Sequence, residues 1–286
     1  MMRMMTTIRL LGLATLFLAA GATAFAGGEQ EGSGSFRLSM GGSTTMDPIM
    51  SSAIEVYRTE VDPAAELSYD APGSTAGIQG TLNGIYDVGA SSRALFIRER
   101  EQGLEATTIA TDGLAVIVHE TVPIDDISLE DLAAVFVGEI RNWSRLGGPD
   151  EEIVVVNRDQ ASGTFGAFRE LVLVRTYGDD ARYVRQALVT ESNGNMATMV
   201  TQTPYAIGYA SLITLERVRD QGGKALSVDG VEDTKETVLT GEYPITRPLN
   251  VVTLGEPTGE AKVFVDFLLS PRGQEIVNEV GYLPLR

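Results

Sequence analysis

The chain has 286 residues, no cysteine, one histidine and a formal net charge of −17 from 39 acidic and 22 basic residues. This length is enough for two modest α/β domains. The lack of cysteine excludes disulfides and thiolate metal sites, and the acidity argues against nucleic acid or an anionic membrane surface as a partner.

Residues 1–26 have the pattern of a secretory signal peptide. Two arginines and an apolar run at 10–20 precede the small-residue sequence Ala-Phe-Ala at 24–26. The apolar run is too short to span a bilayer. No cysteine is available to carry an N-terminal lipid, so we expect an exported, periplasmic protein without a lipid anchor. A flexible polar leader is predicted at 27–35.

Two segments then repeat one design, in which a short strand leads through glycine, serine and threonine into a helix. Their parts are a strand at 36–40, Gly-Gly-Ser-Thr-Thr at 41–45 and a helix at 46–56, then a strand at 65–69, Pro-Gly-Ser-Thr at 72–75 and a helix at 76–85. Glycine lets backbone amides approach a ligand closely, and the hydroxyls add donors without charge.

A third helix start follows in the middle of the chain, where Arg158 precedes Ser162-Gly163-Thr164 by four residues. The first N–H groups of a helix have no intrahelical partner, and the helix dipole is positive there. Together with the planar fork of Arg158, these groups make an anion site. Three such starts that converge on one cleft would surround a small anion, although each could also be an ordinary helix N-cap.

The remaining elements continue the alternation of strands and helices, which predicts an α/β fold. The predicted strands are 114–119, 153–157, 207–210 and 249–253, and the predicted helices are 129–137, 163–175, 181–187, 195–203 and 261–269. Residues 259–286 are predicted to form a terminal helix pair, and 229–244 a long loop.

Motifs for catalysis are missing from the sequence. It contains no Gly-x-Ser-x-Gly, no Ser-x-x-Lys and no P-loop, and its single histidine, His119, ends a predicted strand. One histidine and no cysteine do not supply an ordinary zinc site. We therefore expect a protein that holds an anion and is not an enzyme, with no catalytic residue, metal or cofactor.

The chain resembles the phosphate-binding subunit of the high-affinity phosphate ABC importer, in the shorter variety of the PstS-like family. The motifs that carry the resemblance cover almost all of the mature chain. They are Gly42-Ser43-Thr44-Thr45 with Pro48, Gly73-Ser74-Thr75-Ala76-Gly77, Asp87-Val88-Gly89-Ala90-Ser91-Ser92-Arg93, Phe136 to Trp143 with Gly147-Gly148, Arg158 with Ser162-Gly163-Thr164, and Ala206-Ile207-Gly208-Tyr209.

The resemblance implies a two-lobed periplasmic binding protein of type II, with two α/β domains joined by two crossing hinge strands. Domain I would comprise 36–113 and 246–286, and domain II 114–245. Such a protein closes on inorganic phosphate in the cleft between its domains and delivers the ion to the permease subunits of an ABC transporter. The resemblance further implies a monomer that neither inserts into the membrane nor binds nucleic acid.

The same resemblance, with the three helix starts, defines the candidate phosphate-binding residues. They are Ser43, Thr44, Thr45, Ser74, Thr75, Ser92, Arg93, Arg158, Ser162, Gly163 and Thr164. For Arg93 two roles stay open, a contact with the ligand or an ion pair with a surface carboxylate.

The chain departs from the best-known family pattern at Ser92. The best-known members have an aspartate at this position, which accepts the proton that phosphate carries and sulfate lacks. Serine also accepts a hydrogen bond, but it does not repel a fully ionised anion. We expect Asp47 or Asp159, beside the anion loops, to supply the missing acceptor. The alternatives are a binding protein for sulfate, molybdate or another oxyanion, and a phosphate-ester hydrolase.

Overall fold

A computed structural model describes residues 36–285, so the predicted signal peptide and polar leader lie outside the described residues. Its strands are β1 Arg37–Gly42, β2 Glu66–Asp70, β3 Val88–Ser91, β4 Leu104–Val118, β5 Asp126–Ile127, β6 Val154–Arg158, β7 Leu188–Thr190, β8 Ala206–Ser211, β9 Lys224–Val228, β10 Thr246–Leu254 and β11 Leu283–Pro284.

The α-helices of the described residues lie between these strands and at the C-terminal end. They are α1 Asp47–Val56, α2 Ser74–Leu82, α3 Ile97–Glu101, α4 Leu129–Val137, α5 Gly163–Phe168, α6 Arg175–Tyr177, α7 Asn193–Gln202, α8 Leu215–Asp220, α9 Lys235–Thr240, α10 Gly259–Leu269 and α11 Pro271–Glu279. Two π-helical segments, Tyr57–Val61 and Arg169–Val174, continue α1 and join α5 to α6. Short 3-10 helices occupy Trp143–Leu146 and Leu212–Thr214.

The strands are hydrogen-bonded in the order β2-β1-β3-β10-β4-β8-β6-β7, with β9 and β11 also on β4 and β5 on β9. At one end β1 is parallel to β2 and β3, and at the other end β6 is parallel to β7 and β8. Between them β4 and β10 run antiparallel over nine residue pairs. These two long strands cross from one group of parallel strands to the other.

The apolar core is divided along β4. Ile109 and Ala110 pack with β1, α1 and the two C-terminal helices in one cluster. Leu114 and Val116, further along the same strand, pack in a second cluster with α4 and the helix that begins at Gly163. The fold is therefore a two-lobed α/β architecture whose lobes are joined by two crossing strands. No helix within residues 36–285 has the length and apolar character needed to cross a membrane.

Most predicted elements are confirmed, and the helix predicted at 129–137 has these bounds in the structure. The predicted strand at 114–119 is the second half of β4, which begins at Leu104. Residues 104–113 escaped prediction because they mix apolar side chains with Glu, Thr and Asp and form no apolar run. In the same way, β10 begins at Thr246, three residues before the predicted strand.

The helix predicted at 181–187 is wrong, because these residues form no regular element. Their apolar side chains have helical spacing, but in the structure these residues make separate contacts with other parts of the second lobe. The Val184 N–H donates to the Phe136 carbonyl (2.8 Å), and the Tyr183 ring packs against Phe136, Phe165 and Tyr209. These contacts replace the intrahelical hydrogen bonds that the spacing indicated.

The long loop predicted at 229–244 is also wrong in part, because it contains α9. This short helix begins at a capping box, in which the Thr234 hydroxyl accepts the Thr237 N–H (3.1 Å) and the Thr237 hydroxyl accepts the Thr234 N–H (3.1 Å). It ends at Gly241, whose φ of 78° is favourable for glycine.

Candidate anion-binding site

The three Gly-Ser-Thr segments meet at the crossing strands. The hydroxyl oxygens of Thr45, after β1, and Thr164, in the first turn of α5, lie 3.2 Å apart. Ser74 begins α2, and its hydroxyl lies 3.4 Å from the Ser92 hydroxyl. Because Thr164 belongs to the second lobe and the other three to the first, hydroxyl groups from both lobes converge in one buried cluster.

Gly163 shows how closely the lobes approach. A Cβ atom at this position would lie 2.1 Å from the Ser74 hydroxyl oxygen and 2.5 Å from that of Ser92. Only glycine leaves room for the α5 N-terminus to face these two hydroxyls. The N–H groups at the start of α5 are thereby directed at the same region as the side-chain donors.

Arg158 ends β6 beside this cluster and is 1% exposed. Its guanidinium donates to the carbonyls of Thr190 (3.3 Å) and Glu191 (2.6 Å), to the Asn193 side-chain oxygen (3.1 Å) and to the Thr44 hydroxyl (3.3 Å). All these acceptors are neutral. Burial lowers the pKa of Arg158 to about 10, so the group stays charged at neutral pH. The cluster therefore holds a buried positive charge that no carboxylate of residues 36–285 neutralises by an ion pair.

A second arginine, Arg247 on β10, reaches the same hydroxyls. It donates to Thr164 (2.8 Å) and Thr45 (3.4 Å) and to the Ser92 carbonyl (3.2 Å). Unlike Arg158, it is paired with a carboxylate, because its Nε and Nη2 atoms lie 3.0 and 2.7 Å from Oδ2 of Asp112 on β4. The two crossing strands are thus joined by an ion pair at the place where the lobes meet.

Asp112 is fully engaged by neighbouring donors. Its Oδ1 atom accepts from the Ser211 hydroxyl (2.9 Å) and the Leu212 N–H (3.3 Å), while Oδ2 accepts from Arg247. Burial raises the pKa of Asp112, and Arg247 acts in the opposite direction. Across the two arginines and this one carboxylate, the cluster keeps a formal excess of one positive charge.

Asn193 links Arg158 of the second lobe to Thr45 of the first. Its side-chain oxygen accepts from Arg158, and its side-chain nitrogen donates to the Thr45 hydroxyl (3.1 Å). Sequence reasoning missed both Asn193 and Arg247, since neither lies near a Gly-Ser-Thr segment in the chain. The only signal for Arg247 is a charged residue two positions ahead of a predicted strand, which is common at protein surfaces.

Arg93 forms an ion pair, the second of the two roles left open, but its partner carboxylate is buried and not at the surface. Its guanidinium forms two hydrogen bonds of 2.8 Å with Glu99, which is itself buried. It also lies 4.0 Å from the centre of the Phe96 ring. Burial would raise the pKa of Glu99, but the hydrogen bonds from Arg93 and the Phe96 N–H lower it overall. Arg93 thus orders the segment after Ser92, and Glu99 compensates its charge.

Three other predicted residues have local roles. The Ser43 hydroxyl accepts the Thr45 N–H (3.1 Å), and the Ser162 hydroxyl accepts the Thr164 N–H (3.2 Å) as the N-cap of α5. Thr75 is exposed, and its N–H donates to the Ala161 carbonyl (3.0 Å) across the two lobes. Ser43 and Ser162 therefore stabilise the loops that precede α1 and α5. Thr75 links the two lobes at an exposed position.

The acceptors proposed for the missing aspartate do not join the cluster. Asp47 is exposed and accepts from the Ser51 hydroxyl (3.0 Å), one turn along α1. Asp159 accepts the Ala161 N–H (2.8 Å) within its own loop. Neither carboxylate is hydrogen-bonded to a predicted site residue. Within residues 36–285, no group of three or more histidine, aspartate or glutamate side chains is placed to hold a metal ion.

Two α/β lobes that meet over a buried polar cluster at two crossing strands define a type II periplasmic binding protein. A family model described as a PBP superfamily domain matches residues 27–272. The phosphate-binding protein PstS of Borreliella burgdorferi is 36% identical over 252 residues, which cover 87% of this chain and 90% of the relative. The phosphate-binding protein PstS of Bacillus subtilis is 35% identical over 264 residues, covering 90% and 83%.

Solved structures show the same likeness. A substrate-binding protein assigned to a phosphate ABC transporter of Clostridium perfringens, solved with bound phosphate, matches with a TM-score of 0.79 and 34% identity. The match covers 87% of this chain and 100% of the solved one. The chain belongs to the PstS family of phosphate-binding proteins within the PBP superfamily.

Proposed function

We propose that this protein captures inorganic phosphate in the cleft between its lobes and delivers it to the permease of an ABC transporter. The observation that carries the proposal is the buried guanidinium of Arg158, which has neutral hydrogen-bond partners and lies beside hydroxyls from both lobes. A buried charge is unfavourable without a counter-ion. A tetrahedral oxyanion supplies the opposite charge and accepts from the planar guanidinium fork and the hydroxyls together.

The residues proposed to hold the ion fall into two walls. The first lobe contributes hydroxyls of Thr44, Thr45, Ser74 and Ser92. The second contributes Arg158 and the start of α5 from Ser162 to Thr164, and the strand β10 adds Arg247. The lobes would then be domain I, 36–113 with 246–286, and domain II, 114–245. This division follows the change of core cluster between Ala110 and Leu114 on β4.

The number of donors is sufficient for tight binding. A hydrogen bond to a charged partner contributes roughly 1.5–3 kcal/mol, and micromolar affinity requires about 8 kcal/mol. Two guanidinium groups, several hydroxyls and the Gly163 N–H at the start of α5 together exceed that requirement even after the costs of dehydration and immobilisation.

The protein then acts by binding and release, as a monomer in the periplasm. Export by the signal peptide at 1–26 without lipidation, and docking on permease subunits, complete the proposal. The hydroxyl and guanidinium groups around the cluster bind an anion without activating a nucleophile, so we propose no hydrolase activity. A generic phosphomonoester, incubated with and without divalent metal, should remain uncleaved.

A second oxyanion is favoured by one observation. The resemblance places Ser92 where the best-known family members have an aspartate, and both oxygens of Asp112 already accept from Arg247, Ser211 and Leu212. The cluster therefore offers hydroxyls, and no free carboxylate, to the proton of phosphate. Sulfate would meet less repulsion here than at a site with a free carboxylate.

Calorimetric titration of the phosphate-stripped protein, first with phosphate and then with sulfate, compares the affinities for the two ions. We expect one-to-one binding of phosphate with at least micromolar affinity, and weaker binding of sulfate. Equal or tighter sulfate binding would assign the site to another oxyanion, and no heat with either ion would refute the proposal.

A further inference from the structure

A large cavity beside the candidate site is lined by an unusual number of arginines. Its volume is about 790 Å³, and Arg158 and Ser162 belong to its wall. Six of its lining residues are arginines, namely Arg93, Arg98, Arg158, Arg169, Arg182 and Arg185, against two acidic residues, Asp159 and Glu170. In a chain with a net charge of −17, this local excess of positive charge calls for an explanation.

Some of these charges are already compensated. Arg93 is paired with Glu99, and Arg169 with Glu170 at 2.7 Å. Arg98, Arg182 and Arg185 are exposed, and none of the three forms an ion pair with another described residue. We call these three residues the outer arginines.

Two of the outer arginines, Arg182 and Arg98, are held at the cavity by neutral contacts. Arg182 donates to the carbonyls of Asp179 (2.8 Å) and Ala181 (2.9 Å). The Arg98 guanidinium lies 5.3 Å from the centre of the Phe96 ring. These contacts position the side chains of Arg98 and Arg182 without cancelling their charges.

The walls between the charges strengthen their effect. Phe96, Phe165, Tyr183, Val184 and Val189 line the same cavity. A cleft that has charges of one sign and walls of low dielectric focuses the field and raises the local concentration of the opposite ion, which increases association rates by roughly 10- to 1,000-fold. The remaining surface of this acidic chain repels anions, so the cavity is the favourable approach to Arg158.

We propose that the outer arginines form an anion-collecting groove, a second and weaker oxyanion site through which phosphate reaches the buried cluster. This inference rests on the proposed function. The groove acts on the rate of capture. Arg98, Arg182 and Arg185 make no hydrogen bond to the hydroxyl cluster, so they leave the release of the bound ion unchanged.

The test is the kinetics of the double variant Arg182→Gln, Arg185→Gln. Radiolabelled phosphate is mixed rapidly with the protein, and dissociation is followed by a chase with excess unlabelled phosphate. At 10 mM salt, where the screening length is about 30 Å, we expect association about threefold slower or more, with an unchanged dissociation rate. At 1 M salt, where that length falls to about 3 Å, the difference should vanish.

Two matched variants distinguish electrostatic attraction by the groove from a general loss of positive charge and from the loss of the guanidinium shape. Arg145→Gln, Arg217→Gln removes the same charge from exposed arginines that do not line the cavity, and it should leave association near the wild-type rate. Arg182→Lys, Arg185→Lys keeps the charge without the planar fork and should also associate at that rate.

Equal association rates for the wild type and the glutamine variant at low salt would overturn the groove, as would an equal slowing by the Arg145 and Arg217 control. A wild-type protein that takes up no phosphate would refute the proposed function itself.

Discussion

We propose that phosphate binding depends most on Arg158. Its guanidinium is buried, charged and hydrogen-bonded to neutral acceptors from β7, α7 and the Thr44 loop. A bound oxyanion would be its only strong counter-charge. Removing the side chain should therefore affect binding far more than folding.

We expect Arg158→Ala to weaken phosphate binding at least ~30-fold, which corresponds to about 2 kcal/mol. Calorimetric titration measures this change, and thermal unfolding without phosphate checks that the fold persists. The matched control is Arg145→Ala, an exposed arginine of the second lobe. An affinity that is the same in wild type and Arg158→Ala would show that the anion binds elsewhere.

A substitution at Gly163 tests whether the two lobes must approach closely for phosphate to bind. The Cβ of Gly163→Ala would lie 2.1 Å from the Ser74 hydroxyl oxygen, so the lobes could not close as they do here. We expect at least a tenfold loss of phosphate affinity, about 1.4 kcal/mol, and unfolding of the ligand-free protein close to that of the wild type.

Gly194→Ala is the control for the Gly163 variant. Its new Cβ would meet mainly the flexible end of Arg217, at 3.0 Å, and helix α7 would gain intrinsic stability from alanine. Affinity should be unchanged in this variant. A Gly163→Ala protein that binds phosphate normally would contradict the closed geometry of the cluster.

Asp233 makes stability depend on pH, away from the anion site. Its Oδ2 atom is buried without a hydrogen-bond partner, and burial raises the pKa of Asp233 to about 7. The folded state therefore binds the proton more tightly than the unfolded state. The stabilisation is complete below the unfolded pKa near 4 and is lost as the pH rises through about 7.

We expect the wild type to lose about 2 kcal/mol of unfolding free energy relative to Asp233→Asn between pH 5 and pH 8. Urea unfolding of both proteins at the two pH values measures this difference. The asparagine does not titrate, and all other titratable groups are the same in both proteins. Their contributions therefore cancel in the difference between the two unfolding free energies. If the difference between the two proteins were the same at both pH values, Asp233 would already be ionised in the folded state.

At this scale the sequence indicated several of the side chains that meet in the buried cluster, but it did not indicate all of their partners. The hydroxyls of Thr45, Ser74 and Thr164 could be predicted because each lies near a helix start in a segment that contains glycine. Arg247 and Asn193 could not, because only the tertiary fold brings them beside Thr45. The pairing of Arg93 with Glu99 depends on the backbone path after Ser92, and residue spacing does not determine that path.

Among the secondary structure elements, β4 and β10 do most to position the site. They pair along nine residues, with a shift of register between Leu249 and Asn250, and β4 contributes residues to the apolar clusters of both lobes. Asp112 on one strand and Arg247 on the other form an ion pair in which both side chains are 1% exposed. Breaking such a buried pair leaves one charge without a partner.

We expect Asp112→Ala and Arg247→Met each to destabilise the protein by about 3 kcal/mol. The double variant should be destabilised by less than the sum, because it removes both charges of the pair together. Chemical denaturation of the four proteins gives the coupling energy. Additive effects would mean that the pair does not link the strands.

Regular apolar patterns predicted the other elements well, as in α4 and in the terminal pair α10 and α11. The two hinge strands were predicted only in part, because polar residues such as Asp112 and Arg247 interrupt their apolar pattern at the site. These polar residues are buried only because the two lobes meet over them. The part of the hinge that carries function is therefore the part that periodicity did not indicate.

For the whole molecule, overall charge and local charge have opposite signs. The net charge of −17 keeps the protein soluble and repels anions at long range. The buried cluster and the anion-collecting groove concentrate positive charge where the lobes meet. An acidic protein can therefore bind an anion, because surface charge is screened beyond roughly 8 Å at physiological salt whereas the cluster acts at contact.

The central claim is that one phosphate ion binds between the lobes, against Arg158 and the hydroxyl cluster. A crystal structure of the protein with phosphate tests it most directly. The ion should lie within hydrogen-bond distance of the Arg158 guanidinium, of hydroxyls from the first lobe, such as Thr45 and Ser74, and of the α5 N-terminus. Phosphate bound elsewhere, or bound to one lobe with Arg158 still directed at its neutral partners, would contradict the account.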